Sequence, residues 1–145
     1  MKRASSNYIK IEFPAKSANE ALARSTAAAF AAQLDPTLDE LGDIKTAVSE
    51  AVTNAIVHAY PERMGTVWLT ARRIGEDTLE LTVKDKGCGI ADVKKAMEPL
   101  FTTGGDDRSG MGFTIMESFT DQLRVRSVPG RGTTVVMRRR TRSKR

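Results

Sequence analysis

The segment SEAVTNAIVHAY, at residues 49–60, decides how the rest of the chain is read. It continues a predicted helix that begins at the capping box of Thr37 and Glu40 and ends before Pro61. Apolar residues recur on this helix at helical spacing, which predicts one face packed on a sheet. That face comprises Leu41, Ile44, Val48, Val52, Ala55, Ile56 and Ala59.

The opposite side of the helix carries Glu50, Asn54 and His58 at one-turn spacing. A carboxylate and an amide oxygen one turn apart project into the same small volume, and such oxygen ligands suit Mg²⁺. A solvated polar face would explain the same residues. Ala47 and Val57 lie beside them, however, where a solvent face would carry more charge, so we expect something to cover this side. His58 is interpreted as a packing residue rather than a phosphate acceptor.

The chain before this helix predicts one strand and one helix. Residues 8–13 alternate between apolar and polar positions, which is typical of a strand. Ser17 and Glu20 predict a second capping box, and the Ala-rich helix behind it runs to about Leu34, before Pro36.

After this helix, apolar residues recur at every second position. Alternating runs at residues 67–71 and 79–83 predict an antiparallel hairpin. The remaining predicted elements are two short helices and two strands, at residues 92–97, 112–119, 123–128 and 133–137. This order predicts an α+β fold, a two-layer sandwich of helices on a mainly antiparallel sheet, as a single domain over residues 1–145.

The net charge of +5 is concentrated near the C-terminus. Six basic residues fall within the last eight positions: Arg138, Arg139, Arg140, Arg142, Lys144 and Arg145. The other 17 Lys and Arg meet 18 Asp and Glu. We therefore attribute the high pI to a short, solvated basic tail at residues 138–145 rather than to a basic binding face. Nucleic-acid binding by this tail is the alternative.

We expect neither secretion nor membrane insertion of this chain. No apolar run is long enough to span a bilayer, and the N-terminus has no apolar stretch behind Lys2 and Arg3. The single cysteine, Cys88, cannot form an internal disulfide. We expect a cytoplasmic protein, with Cys88 as a small filler rather than a nucleophile.

The segment DKGCGI, at residues 85–90, directly follows a predicted strand. The strand end holds the Asp85 carboxylate still, and Gly87 and Gly89 let the backbone turn sharply and approach a flat ligand. A fixed carboxylate can accept a hydrogen bond from the exocyclic amine of adenine. A tight strand-to-helix turn would use the same residues.

The segment RSGMGF, at residues 108–113, joins a glycine-rich loop to a predicted helix. Free amide groups at Gly110 and Gly112, with the helix N-terminus, predict a phosphate site, which Arg108 can reach. The chain has no GxxxxGK[ST] segment, so this is not a P-loop.

Together and in this order, the three segments resemble the N, G1 and G2 boxes of the GHKL superfamily, which includes gyrase, histidine kinases and MutL. SEAVTNAIVHAY, DKGCGI, LFTT and RSGMGFTIMESF further resemble the sporulation anti-sigma-F factors and their stress-response relatives. The likeness runs from about Ile9 to Met137.

The resemblance implies a Bergerat fold that binds ATP or ADP with Mg²⁺. It implies Glu50 as the general base, Asn54 on the metal, and residues 99–109 as a lid with Arg108 near the γ-phosphate. The implied nucleotide-binding residues are Asn54, Asp85, Gly87, Gly89, Thr102, Thr103, Ser109, Gly110, Met111, Gly112, Phe113 and Thr133.

The resemblance also implies partners. Such proteins hold a sigma factor as a dimer and phosphorylate a serine of an anti-anti-sigma protein, and Arg24 and Arg108 match positions that contact partners. Alternative interpretations are a general-stress anti-sigma kinase and a module that uses ATP only as a conformational ligand. The catalytic half of a histidine kinase is disfavoured, because the only histidine lies within the N box.

Overall fold

The computed structural model describes residues 5–61, 63–97 and 112–141. The elements are β1 (Ser5–Pro14), α1 (Ala18–Ala31), α2 (Leu38–Val57), β2 (Thr66–Ile74), β3 (Thr78–Asp85), α3 (Val93–Ala96), α4 (Gly112–Ser118), β4 (Gln122–Val128) and β5 (Gly132–Arg140). A 3-10 turn, Ala32–Leu34, extends α1. The strands form one sheet in the order β1-β2-β3-β5-β4, and every neighbouring pair is antiparallel. The predicted α+β fold is confirmed.

The hydrophobic core lies between one face of the sheet and the helices. Alternate residues of the central strands are buried there, namely Val67, Leu69, Ala71, Leu79, Leu81 and Val83. From α2, the predicted stripe supplies Ile44, Val48, Val52 and Ala55, all buried. The apolar side chains that recur at every second residue of the strands therefore pack against those that recur about every 3.6 residues of the helix, and together they form one apolar layer.

The two predicted capping boxes have different outcomes. At α2 the box is complete, because the Thr37 side chain accepts from the Glu40 amide at 3.0 Å and the Glu40 carboxylate accepts from the Thr37 amide at 2.9 Å. At α1 the prediction is wrong, since Ser17 makes no side-chain cap bond. The Glu20 carboxylate is instead bound by Arg24 and Ser49.

The predicted basic tail also begins later than expected. Residues 138–140 belong to β5, and their side chains form ion pairs within the fold. Arg138 lies 2.8 Å from Glu80, and Arg139 lies 2.9 Å from Asp43. Pairing with β3 and β4 holds this segment in the sheet, and residues 142–145 lie outside the described part of the chain.

The face of the sheet that points away from the core carries much of the positive charge. Its basic residues are Lys10, Arg72, Lys84, Arg124, Arg126 and Arg138, against the acidic Glu12 and Glu80. The attribution of positive charge to the C-terminal tail alone is therefore wrong, because counting charges along the chain ignores how strand alternation gathers them. Among the described helices, none has the length and apolar character needed to cross a membrane.

Because the cap of α2 is formed and that of α1 is not, mutating the two cap residues should change stability by different amounts. Thr37→Ala removes an N-cap hydrogen bond, so we expect a loss of about 1 kcal/mol in the free energy of unfolding. Ser17→Ala is the matched control, and its expected loss is close to zero because Ser17 has no cap bond. Urea denaturation of both variants measures the difference; equal losses would contradict it.

Candidate active site

The predicted N and G2 boxes meet where α4 begins beside α2. Glu50 and Asn54 are half-buried on α2. A Cβ atom added to Gly112 would lie 3.4 Å from Oε1 of Glu50 and 3.4 Å from both terminal atoms of Asn54. The backbone of α4 thus faces this pair directly, and the missing side chain leaves space at their tips. The expectation that something covers this side of α2 is confirmed at Ala47, which is fully buried, and where α4 packs against the helix, but not at Val57, which is exposed.

The Asp85 carboxyl group is held at the end of β3. Its Oδ1 atom accepts from the Gly87 amide at 3.0 Å and from the Thr133 amide at 3.2 Å. Its Oδ2 atom accepts no hydrogen bond from any residue that the structure describes. Burial raises the pKa of Asp85 above its ordinary value of 3.8, although the bonds from Gly87 and Thr133 oppose the shift. Asp85 therefore offers one free acceptor atom in a fixed direction.

The loop after β3 is fastened to the C-terminal end of α2. The Cys88 amide donates to the Ala59 carbonyl at 2.8 Å, and the Lys86 amide donates to the Tyr60 hydroxyl at 2.7 Å. That hydroxyl in turn donates to the Thr66 carbonyl at 2.7 Å. At Gly87 a Cβ atom would lie 2.1 Å from the Ala59 carbonyl oxygen. Only glycine lets the loop come this close to α2, so the backbone that carries Asp85 is held against α2.

The turn between β4 and β5 closes the other side of this loop. At Gly132, with φ 125°, a Cβ atom would lie 2.2 Å from the Asp85 carbonyl oxygen. The Ser127 hydroxyl accepts from the Ile90 amide at 2.6 Å and lies 2.8 Å from the Thr133 hydroxyl. Gly89, with φ 77°, packs against the Val128 carbonyl. The Gly-Thr pair of the last hairpin therefore belongs to the same pocket as Asp85.

The structure divides the predicted site residues into three groups. One group combines Glu50, Asn54 and Gly112, and another combines Asp85, Gly87, Gly89 and Thr133. The third lies outside the described residues: Thr102, Thr103, Arg108, Ser109, Gly110 and Met111. The Phe113 side chain is in the hydrophobic core, so only its backbone can face a ligand.

The predicted partner residue Arg24 is half-buried on α1. It forms an ion pair with Glu20 at 2.8 Å, and its NH1 group lies 3.4 Å from the Ser49 hydroxyl. Across the described residues, no group of three or more His, Cys, Asp or Glu is arranged to hold a metal ion. A cation at Glu50 and Asn54 would therefore need further ligands from water or from a bound phosphate.

Sequence reasoning missed two residues that build the pocket. Tyr60 lies in the segment that was quoted for its likeness, yet its role depends on Lys86 and Thr66, which are distant in sequence. Ser127 is one polar residue in an alternating strand and has no local signal. Both act through hydrogen bonds across the fold, which spacing along the chain does not reveal.

Comparison with known proteins identifies the family of this chain. The model of the histidine kinase-like ATPase domain matches residues 13–139. The anti-sigma F factor of Caldanaerobacter subterraneus subsp. tengcongensis is 54% identical over 132 residues, which cover 90% of this chain and 92% of the relative. That of Clostridium beijerinckii is 53% identical over 137 residues, covering 94% and 96%. The chain belongs to the anti-sigma F factor family. Within the larger group it is a histidine kinase-like ATPase domain, as the three boxes predicted.

Solved structures share the fold of this family member. The RsbU and RsbW domains of a Mycobacterium tuberculosis protein align with a TM-score of 0.68 and 20% identity, over 97% of this chain and 34% of that one. The chain thus spans about a third of that structure. A histidine kinase domain from Erythrobacter litoralis blue-light activated histidine kinase gives 0.55 at 29% identity, over 69% of this chain and 44% of the other. The kinase-type fold is confirmed.

Filling the space at the start of α4 tests the first group. Gly112→Ala keeps the helix, because its new methyl group meets only side-chain tips at 3.4 Å. That methyl group occupies the space beside Glu50 and Asn54, so we expect affinity for Mg²⁺-nucleotide to fall about tenfold, or about 1.4 kcal/mol. Isothermal titration calorimetry measures the affinity, and circular dichroism checks the fold. Unchanged affinity would show that a ligand does not use this space.

Replacing the buried carboxyl tests the second group. The raised pKa means that folded Asp85 holds its proton more tightly than the unfolded chain does. Its contribution to stability is full below pH 3.8 and is lost as the pH rises through the folded-state pKa. Asp85→Asn lacks this dependence, so we expect its stability relative to the wild type, measured by urea denaturation, to rise as the pH increases above 3.8.

The Asp85→Asn variant should also bind nucleotide less tightly. In Asp85→Asn an amide NH₂ group takes the place of Oδ2. It faces the exocyclic amine of adenine, and because both groups are hydrogen-bond donors we expect the affinity for nucleotide to fall about tenfold to hundredfold. Calorimetry with ADP measures this loss. Full retention of ADP affinity by a folded Asp85→Asn protein would remove Asp85 from the nucleotide site.

Proposed function

We propose that this protein is an anti-sigma factor that binds a sigma factor of the sigma-F type. With ATP and Mg²⁺ it phosphorylates a serine of the anti-anti-sigma protein that releases that sigma factor. The anti-sigma part is supported by relatives of more than 50% identity that carry the name anti-sigma F factor. The single observation that carries the kinase part is the placement of Gly112 against Glu50 and Asn54.

The residues at α2 and α4 fit a metal-bound triphosphate. Asn54 supplies a neutral amide oxygen, and Glu50 supplies a carboxylate, both at the edge of a space that no Cβ atom fills. Magnesium, when bound, would neutralise phosphate charge and complete its shell with water and phosphate oxygens. Gly110, Met111 and Ser109 precede this space in sequence, and we assign the phosphate-facing amides to them and to Gly112.

The pocket around Asp85 fits adenine. Oδ1 is already occupied by two backbone amides, which fixes the carboxylate plane and leaves Oδ2 to accept from an exocyclic amine. The backbone around Asp85 is closely packed and has no side chains at Gly87 and Gly89, and the Thr133 amide binds the carboxylate. Adenine at this end and phosphates at Gly112 would lie along the C-terminal end of α2, because Asn54 is in its last turn and Ala59, which receives the Cys88 amide, lies two residues beyond its end.

The chemistry assigned to Glu50 is general base catalysis. The acceptor serine hydroxyl gives its proton to the Glu50 carboxylate as its oxygen forms a bond to the γ-phosphorus. The bond between the γ-phosphorus and the β–γ bridging oxygen breaks, and ADP leaves with that oxygen. We assign to Arg108 the stabilisation of the negative charge that develops on the leaving ADP. Thr102 and Thr103 of the lid are assigned to phosphate binding.

Two further parts of the proposal concern assembly. We assign the protein to a homodimer and to the cytoplasm, where sigma factors meet RNA polymerase, on the resemblance to the family. Sedimentation of the purified protein with and without its sigma factor measures the dimer.

Replacing the base separates binding from catalysis. Glu50→Gln preserves size and hydrogen bonding but cannot take the serine proton, so we expect phosphate transfer to fall about 10²- to 10⁴-fold. Binding of ADP and of the sigma factor should be retained. Glu76→Gln, in the exposed turn between β2 and β3, is the matched control with normal activity.

Phosphoserine formation is measured by mass spectrometry after mixing enzyme, ATP, Mg²⁺ and the anti-anti-sigma protein. Transfer by Glu50→Gln at the normal rate would contradict the base assignment. If the wild-type protein binds both partners but forms no phosphoserine, ATP acts as a conformational ligand only.

A further inference from the structure

Arg139 is a charged residue at a core-facing position of β5. Strand alternation turns Val135, Met137 and Arg139 toward the helices, and the first two are buried in the core. The Arg139 side chain is only 19% exposed. A cation in this layer is stable only if it is paired and hydrogen-bonded, and Arg139 has two partners.

The two partners of Arg139 lie on two different helical segments. Its Nη1 group donates to the Phe119 carbonyl, directly after α4, at 2.9 Å. Its Nη2 group lies 2.9 Å from Oδ2 of Asp43, on α2. The planar guanidinium group presents its donors in a fixed fork, so it can hold both acceptors at once. One side chain of β5 therefore joins the end of α4 to α2.

The chain after α4 is also fastened to the sheet. The Asp121 amide donates to the Arg138 carbonyl at 2.8 Å, and the Asp121 carboxylate accepts from the Arg140 amide. These bonds hold the segment to β5. The Arg139 link differs from them, because its second partner, Asp43, also sets the place of the segment along α2.

Helix α4 lies antiparallel to α2, along one face of it. Its first residue, Gly112, faces Glu50, and its other end is tied through Arg139 to Asp43. Positions 43 and 50 are two helical turns apart, which places both on the same side of α2. The seven residues of α4 also make about two turns. The two contact points therefore match in spacing on both helices.

The bonds of Arg139 add direction to the packing of α4. Phe113 and Met116 bury their side chains in the core, but apolar contacts of this kind are not directional. Hydrogen bonds are directional, so the link to Asp43 determines how far α4 reaches along α2. A two-turn helix moves as one unit, and a shift at its end is carried to Gly112. Small misplacements at a reacting site cost binding and rate.

We propose that Arg139 is a positioning residue for the phosphate end of the nucleotide site. By tying the end of α4 to Asp43, it sets the distance of Gly112 from Glu50 and Asn54. Arg139 lies at the far end of α4 from this pair and acts through the helix. This role rests on the nucleotide site of the proposed function and adds the residue that sets its geometry.

The test compares ATP with adenosine, because adenosine lacks the phosphates assigned to Gly112. Arg139→Met keeps an apolar stem but removes the donors, so the Kd for Mg²⁺-ATP should rise about tenfold. The Kd for adenosine should not change, because Gly87 and Thr133, not α4, hold the Asp85 carboxylate. Isothermal titration calorimetry measures both ligands.

Arg138→Met is the matched control. Arg138 is the neighbouring residue of β5 and is also paired, 2.8 Å from Glu80, but it faces the open side of the sheet. Its replacement should leave the affinity for both ligands unchanged.

Hydrogen exchange separates positioning from a general loss of stability. In Arg139→Met, amide exchange should become faster in residues 113–119 and stay unchanged in β2 and β3. Arg139→Lys keeps a cation without the fork, so its affinity for Mg²⁺-ATP should lie between those of the wild type and Arg139→Met. If Arg139→Met does not fold, Asp43→Asn weakens one of the two bonds and should raise the Kd for Mg²⁺-ATP about threefold, again without a change for adenosine.

Equal changes in the affinity for Mg²⁺-ATP and for adenosine, or no change in either, overturn the role of Arg139 and leave the proposed function intact. A wild-type protein that fails to bind Mg²⁺-ATP overturns the nucleotide site itself, and the role of Arg139 with it.

Discussion

The site depends on the close approach between the end of α2 and the loop after β3. Two hydrogen bonds join them, from Cys88 to the Ala59 carbonyl and from Lys86 to the Tyr60 hydroxyl, and no Cβ atom fits at Gly87 between them. This contact ties the helix that carries the proposed base and metal ligand to the strand end that carries Asp85. Because Ala59 and Tyr60 directly follow the helix that carries Glu50 and Asn54, these contacts set the relative position of the two groups before any ligand arrives.

Helix α2 serves three neighbours with three faces. One face, including Ile44, Val48 and Val52, is buried against the sheet and provides stability. A second places Glu50 and Asn54 against the start of α4. The third, from Gly42 to Glu50, is open to solvent beside Arg24. Glu50, the proposed base, lies at the boundary of the last two faces and so borders both α4 and the solvent-exposed side of the helix.

Two predictions from local sequence are wrong because the residue concerned binds a distant partner in the folded protein. Glu20 is in the right place for a capping box, but Arg24 and Ser49 bind its carboxylate more strongly than a free amide would. Arg138 was assigned to a loose tail, but β5 carries it to Glu80. In both cases a charge finds a partner across the fold, and such a partner outweighs a local preference.

The sequence by itself determined the order and type of the elements, the capped start of α2, and the pairing of Glu50 with Asn54. These features depend on residues within one or two turns, so periodicity and capping patterns are sufficient to find them. It also brought out the glycine segments, whose order pointed to the family. Only the tertiary structure decided that Tyr60 and Ser127 hold the backbone around Asp85 through hydrogen bonds, and that positive charge collects on the open sheet face. Each of these depends on atoms that are distant in the chain and meet only once the sheet and helices have packed.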